Sequence, residues 1–315
     1  MDSIHDALDK AIQNAELNLD KEKAAVKNVY QEQVISDQEI PDNRHFDVPK
    51  PKVSLDPLDN ALQQTELGEY QQDRSSYAIP QDRIKTTQKN QHTIDHNLMR
   101  QRRIVTLHNH DAESGAFRML RTKILKQLRD NDWHSFAVTA PAQGAGKSTI
   151  AVNLAIAMAM DVNQSVLLVD LDLRYPKVHW YFGLENENGL RDYFLSNKPL
   201  SEIFVNPGID RLTILPGRGQ TIGSAEILSG PRMKTLMNEI HNRNKSRIII
   251  FDLPPVLATD DVLVTTEYYD AVLLVIEEGK SQPEDISKTL RLLAGKKILG
   301  TVLNKSQNPP DHQIY

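Results

Sequence analysis

The 315-residue chain contains no cysteine. That excludes disulfides and every thiolate-based metal site, and it suits a reducing, cytoplasmic compartment. No apolar run approaches the about 18 residues that mark a membrane-spanning helix. There is no basic excess either: the net charge is -5, so no electrostatic footprint for nucleic acid exists and no such partner is expected. The first residues, MDSIHDALDK, are acidic and amphipathic, whereas a secretory leader needs a basic start and an apolar centre. What remains is the composition of a soluble globular protein, 39% hydrophobic and 25% charged.

The chain changes character along its length. In residues 1–30, Ile4, Ala7, Leu8, Ala11, Ile12 and Ala15 fall on one helical face, and Asp2 or Ser3 can cap the start. Such a helix is either simply solvated or a docking and self-association element. Residues 31–103 are rich in Gln, Asp, Asn, Lys and Pro and show no sustained apolar period. They cannot bury enough surface to offset their ordering entropy, which predicts a disordered linker. Residues 104–306 alternate short β-rich runs with helical stretches. The runs are 135–140, 165–170, 211–216, 247–252, 271–276 and 298–304, four of them almost continuously apolar, as in strands buried on both faces. Helical patterns occupy 148–160, 226–243 and 283–295. This alternation predicts an α/β fold, a parallel sheet flanked by helices. Residues 307–315 read as a short free tail.

Three segments carry chemistry. Residues 141–149, PAQGAGKST, join an apolar run to a helical stretch, the setting of a phosphate-binding loop for ATP and magnesium. Gly144 and Gly146, with Ala145 between them, let backbone N–H groups turn toward phosphates, and the following helix start adds partial positive charge. Lys147 can reach the β- and γ-phosphates, Ser148 can bind Mg2+ through its hydroxyl, and Thr149 is placed for the α-phosphate. The strict pattern has glycine where Pro141 stands. A GKST tetrapeptide also starts ordinary helices; the flanking strand and helix argue against that. Two further runs end in acids, VLLVDLDLR with Asp170 and Asp172, and IIIFDLPP with Asp252. One acid at a strand end is usually a helix cap or a loop residue. Two such ends beside a phosphate loop, at the carboxyl edge of a parallel sheet, suit magnesium coordination and activation of a nucleophile.

Taken together, PAQGAGKST, VLLVDLDLR and IIIFDLPP resemble the Walker A, A′ and B segments of the bacterial tyrosine kinases (BY-kinases) of capsule and exopolysaccharide synthesis, P-loop ATPases of the MinD/ParA-like superfamily. The resemblance spans about residues 104–306 and includes Gly189-Leu190, SAEILSGPRM and GTVLNK. It implies transfer of the ATP γ-phosphate to tyrosine, commonly on the tail of a neighbouring subunit. It implies that Asp170 helps activate the acceptor hydroxyl, that Asp172 and Asp252 organise Mg2+, and that Asn304 contacts adenine. Lys147, Asp170 and Asp172 are thus the expected catalytic residues; Gly144, Ala145, Gly146, Lys147, Ser148, Thr149 and Asn304 bind nucleotide; Ser148, Asp172 and Asp252 serve the metal. It further implies a homo-oligomer and a membrane partner, a Wzz-like chain-length-determinant co-polymerase, which would place this chain in the cytoplasm, peripheral at the inner or plasma membrane.

Two positions depart from the family pattern. The tail holds Tyr315 alone rather than a tyrosine cluster, and the Glu of the ring-forming Glu-x-x-Arg-x-x-Arg motif is Gly115, ahead of Arg118 and Arg121. A second function class therefore stands beside the kinase: an ATP-switched scaffold of polysaccharide or envelope assembly. A third, a positioning ATPase of the partition type, lacks its signature lysine, because Ala142 occupies that place. His108 and His110, Arg100 to Arg103, and the tyrosines at 30, 70 and 77 read as solvated side chains.

Overall fold

The six β-rich runs form six strands of one sheet: β1 (Ser135–Thr139), β2 (Val166–Asp170), β3 (Leu212–Leu215), β4 (Ile248–Asp252), β5 (Ala271–Glu277) and β6 (Lys297–Asn304). Every pairing is parallel, in the order β3-β2-β4-β1-β5-β6. The computed structural model describes residues 93–107, 112–184, 188–243 and 247–306, all within the unit Ser76–Tyr315. The expected helix at 1–30, most of the expected linker, His108, His110 and the tail lie outside the described residues.

The strands are buried because helices cover both faces. Alternate side chains point to opposite layers. Phe136, Val138, Leu168 and Ile250 meet one core with Ile150, Leu154 and Met158, while Ala137, Leu167, Val169 and Phe251 meet the other with Met233, Leu236 and Ile240. Four central strands are buried along nearly their whole length, and β6, at the sheet edge, alternates with solvent. The helices are α1 (His96–Gln101), α2 (Ala112–Asp130), α3 (Lys147–Ala159), α4 (Val178–Tyr181), α5 (Leu190–Ser196), α6 (Ser224–Leu228), α7 (Pro231–Arg243), α8 (Asp261–Val264) and α9 (Pro283–Leu292). Among the described residues no helix is long and apolar enough to cross a membrane.

Two features differ from the sequence expectation. The stretch 226–243 is two helices, α6 and α7, because Pro231 has no N–H to continue α6 and instead starts α7 after the turn at Ser229 and Gly230. Packed structure also begins before residue 104. Asp95 caps α1 by accepting from the amides of Asn97 and Leu98, and Met99 and Ile104 are buried. One buried residue in a six-residue polar helix leaves no period to read, so residues 93–103 share the composition of a linker.

Candidate active site

Strand order decides which loops meet. β2, β4 and β1 are neighbours, so the segments leaving their carboxyl ends lie side by side. Asp170 of β2 stands in register with Asp252 of β4, and Val138 of β1 is in register with Asp252 from the other side. Backbone bonds lace the three ends together: Leu171 N–H donates to the Asp252 carbonyl, Leu253 N–H to Val138, and Val256 N–H to Ala140. The Thr139 hydroxyl donates to the Pro254 carbonyl at 2.6 Å. Residues 141–146 therefore turn immediately beside both acidic strand ends.

The turn itself depends on glycine. Gly144 and Gly146 have φ of 89° and 92°, a left-handed conformation that disfavours a Cβ. Gly146 precedes α3 and has no side-chain cap, so the first amides of α3 are left for a ligand. A Cβ on Gly146 would also come within 2.1 Å of the Asn304 Nδ2. Asn304 reaches back from the end of β6 and donates to the Ala145 carbonyl at 2.8 Å. Next to it, the Lys305 ammonium donates to the Gly144 carbonyl at 2.8 Å and pairs with Glu277 at 3.0 Å. The sheet edge thus holds the loop from outside.

Lys147 points into the cleft between the acids. Its ammonium lies 2.7 Å from Asp172 and 3.7 Å from Asp252, with the Ser148 hydroxyl at 3.3 Å. Burial alone would lower its pKa; Asp252 and Asp172 outweigh that and hold it above the ordinary lysine value. Asp170 is fully buried. Its carboxylate accepts from the Val178 amide at 3.0 Å through Oδ2, while Oδ1 has no hydrogen-bond partner. Burial, then the Asp252 and Asp172 charges, push Asp170 well above the usual carboxylate range. Burial likewise raises Asp252. Gly217 covers Asp170 closely, since a Cβ there would stand 3.2 Å from the Asp170 Cγ and 2.7 Å from Pro176.

Several residues of this site carry no signature in the sequence. The Tyr181 hydroxyl lies 2.6 Å from the Thr149 hydroxyl, so α4 is tied to the phosphate loop at one end and to Asp170 at the other. Arg174, two residues beyond Asp172, bonds the Ser224 hydroxyl at 3.0 Å and the buried Asp261 at 3.3 Å. It fastens the loop after β2 to α6 and α8. On α2, Arg118 bonds Ser114 at 2.7 Å, and Arg121 bonds the Ala157 carbonyl in the last turn of α3 at 3.1 Å.

The donor set fits magnesium in a specific sense. Asp170, Asp172 and Asp252 surround a single ammonium, leaving surplus negative charge that a divalent cation would offset. No three His, Asp or Glu side chains converge into a closed cage among the described residues.

Comparison with known proteins places this geometry. A family model described as AAA domain matches residues 135–293. The tyrosine-protein kinase YwqD of Bacillus subtilis is 35% identical over 193 residues, covering 61% of this chain and 80% of that protein. A putative tyrosine-protein kinase, CapB of Staphylococcus aureus, is 28% identical over 204 residues, covering 64% and 88%. The kinase domain of the Escherichia coli tyrosine kinase Etk superposes with a TM-score of 0.58 at 25% identity, covering 65% of this chain and 82% of that one. With the phosphate loop, two acidic strand ends and parallel sheet in place, the chain belongs to the bacterial tyrosine kinases, proteins built on a P-loop AAA domain.

Proposed function

We propose that this cleft binds ATP with Mg2+ and transfers its γ-phosphoryl group to tyrosine, on this protein itself among other acceptors. The observation that carries the reading is the convergence of Lys147 on Asp172 and Asp252 beside the fully buried Asp170. The loop amides from Gly144 to Thr149 receive phosphate oxygens, and Thr149 addresses the α-phosphate. Lys147 exchanges its carboxylate partners for the β- and γ-phosphates. Asp170 accepts the tyrosine proton as the phenolic oxygen bonds to the γ-phosphorus and the bond to the β–γ bridging oxygen breaks, releasing ADP. Magnesium, held through Ser148, Asp172 and Asp252, would supply charge neutralisation at the phosphates. Most of the acceleration then comes from positioning and fixed charge. Asn304 borders the loop on the side expected for adenine.

The biological setting proposed is control of exopolysaccharide or capsule chain length or export. The chain would act in the cytoplasm, peripheral at the inner or plasma membrane through a chain-length-determinant protein, with residues 1–30 as the expected docking helix and residues 31 to about 92 as its linker. The supporting argument is similarity to kinases of that family.

The test is incubation of the full chain with labelled ATP, magnesium and the membrane partner's cytoplasmic tail, beside Lys147→Ala. Labelled tyrosine in the wild type and none in the variant is expected. ATP binding without any labelled tyrosine would overturn the kinase and leave the ATP-switched scaffold.

A further inference from the structure

Thr149, the last hydroxyl of the phosphate loop, is held by a residue from outside the loop. Its Oγ1 lies 2.6 Å from the Tyr181 hydroxyl oxygen. A helical threonine often turns its hydroxyl back to the carbonyl four residues earlier. Here that carbonyl is Ala145, which accepts from the Asn304 amide at 2.8 Å, and the Thr149 hydroxyl meets Tyr181 instead.

Tyr181 has little freedom to move. Its ring is buried in the core that holds Ile150 and Leu154 of α3. The neighbouring Trp180 ring meets it edge-on, with centroids 5.1 Å apart. Helix α4 is gripped at two further points. The Val178 amide donates to Asp170 at 3.0 Å, and the Arg102 guanidinium stacks over Trp180 at 4.6 Å and donates to its carbonyl.

The direction of the bond between the two hydroxyls follows from what a phosphate can do. A hydroxyl has one proton to donate and two lone pairs that accept. An ionised phosphate oxygen only accepts. To serve the α-phosphate, Thr149 must give its proton to the nucleotide, and its bond with Tyr181 is then made as the acceptor. A phenol, with an ordinary pKa of about 10, is a stronger acid than an aliphatic alcohol and so the better donor of the pair. Burial raises Tyr181 above its ordinary value, so the phenol keeps its proton. Hydrogen bonds in series polarise one another, and a Thr149 oxygen that accepts from Tyr181 donates more strongly to an anion. The rotor is also set before the ligand arrives, which lowers the ordering cost of binding.

Resting on the nucleotide reading above, we propose that Tyr181 is a positioning residue for ATP: it donates to Thr149 and so aims the Thr149 proton at one nonbridging oxygen of the α-phosphate.

Equilibrium binding of ADP with magnesium to the full chain tests this role. Tyr181→Phe keeps the ring and its packing and removes only the hydroxyl, and Thr149→Val keeps the branched shape. Thr149→Val should weaken ADP binding about tenfold, the scale of a hydrogen bond to a charged group, and Tyr181→Phe about fivefold, the scale of a neutral one. In the Thr149→Val background, Tyr181→Phe should change the affinity by less than about twofold, because the residue it acts through is gone. The two diastereomers of ADPαS place sulfur, a poor acceptor, at one or the other nonbridging position. Their affinity ratio should narrow about threefold in Tyr181→Phe, whereas loss of packing alone would weaken both equally. Single-variant effects that multiply in the double variant, or an unchanged diastereomer ratio, would overturn the assignment. No ADP binding by the unmodified chain would overturn it together with the nucleotide reading. The expected coupling in a chain that labels no tyrosine would leave Tyr181 in its role and sink the kinase alone.

Discussion

The Lys147 ammonium is held 2.7 Å from the Asp172 carboxylate, at the start of the helix that follows the proposed phosphate loop. The lysine offsets the charge of Asp172 and Asp252, and on the proposed reading ATP binding exchanges these anionic partners for phosphates. Lys147→Ala is expected to lower tyrosine phosphorylation by at least about a hundredfold, the scale for losing one fixed transition-state charge. It also leaves three acids around an empty position, so the ligand-free variant should melt below the wild type. Transfer assays and thermal unfolding at neutral pH check both effects; a fully active variant would refute the site.

Asp170 gives a pH prediction of definite sign. Its folded-state pKa lies above the unfolded value because of burial and then the Asp252 and Asp172 charges. The folded state thus holds the proton more tightly. Its contribution is complete below the unfolded carboxylate pKa of about 3.9 and is lost as pH rises through the higher folded value. Asp170→Asn removes this dependence. The variant should be more stable than the wild type at pH 8, with a smaller advantage at pH 5, and inactive in transfer. Thermal melts at the two pH values decide; an advantage that grew toward acid pH would contradict the assignment.

Gly146 and Asn304 form a coupled pair. Gly146→Ala places a Cβ 2.1 Å from the Asn304 amide and forces alanine into φ 92°. The backbone strain alone is about 1–2 kcal/mol. Adding Asn304→Ala removes the clash and leaves that strain. The double variant should recover part of the stability lost by Gly146→Ala, with weakened nucleotide binding persisting. A double-variant cycle read by denaturant unfolding and nucleotide titration measures the coupling; strict additivity would show that the two side chains do not meet.

Arg174 and Asp261 should couple in the same way. Asp261 is fully buried, and Arg174→Ala removes its nearest cation. Arg174 is itself partly exposed, so a loss of about 1–3 kcal/mol is expected rather than the full penalty of a buried pair. Asp261→Asn in the same chain should restore part of it. Chemical denaturation of the single and double variants provides the check, and transfer activity should fall in Arg174→Ala because the loop bearing Asp172 loses its fastening.

The sheet was legible because each strand is a contiguous apolar run bounded by turns, and the phosphate loop because its glycines, lysine and hydroxyls are consecutive. The convergence of Asp170, Asp172 and Asp252 followed from their place at strand ends. The partners that tune them were not legible. Arg174 meets Asp261 across 87 residues, and Tyr181 meets Thr149 across 32. Those meetings depend on loop paths that leave no period or spacing behind. Helix α1 escaped for a related reason: its capping Asp95 and single buried Met99 are indistinguishable from linker until a partner surface exists. The break before Pro231 was in plain view, but an uninterrupted amphipathic pattern on both sides masked it.

Helix α4 has a practical use that follows from how it is pinned. The chain contains two tryptophans, and Trp180 sits 48% exposed on this short helix, between the residue that holds Asp170 and the one that holds Thr149. Any rearrangement of either contact moves an indole already stacked beneath a guanidinium. With Trp133→Phe as background, the emission of Trp180 becomes a label-free optical reporter of the catalytic cycle, readable in a stopped-flow instrument on the 315-residue chain.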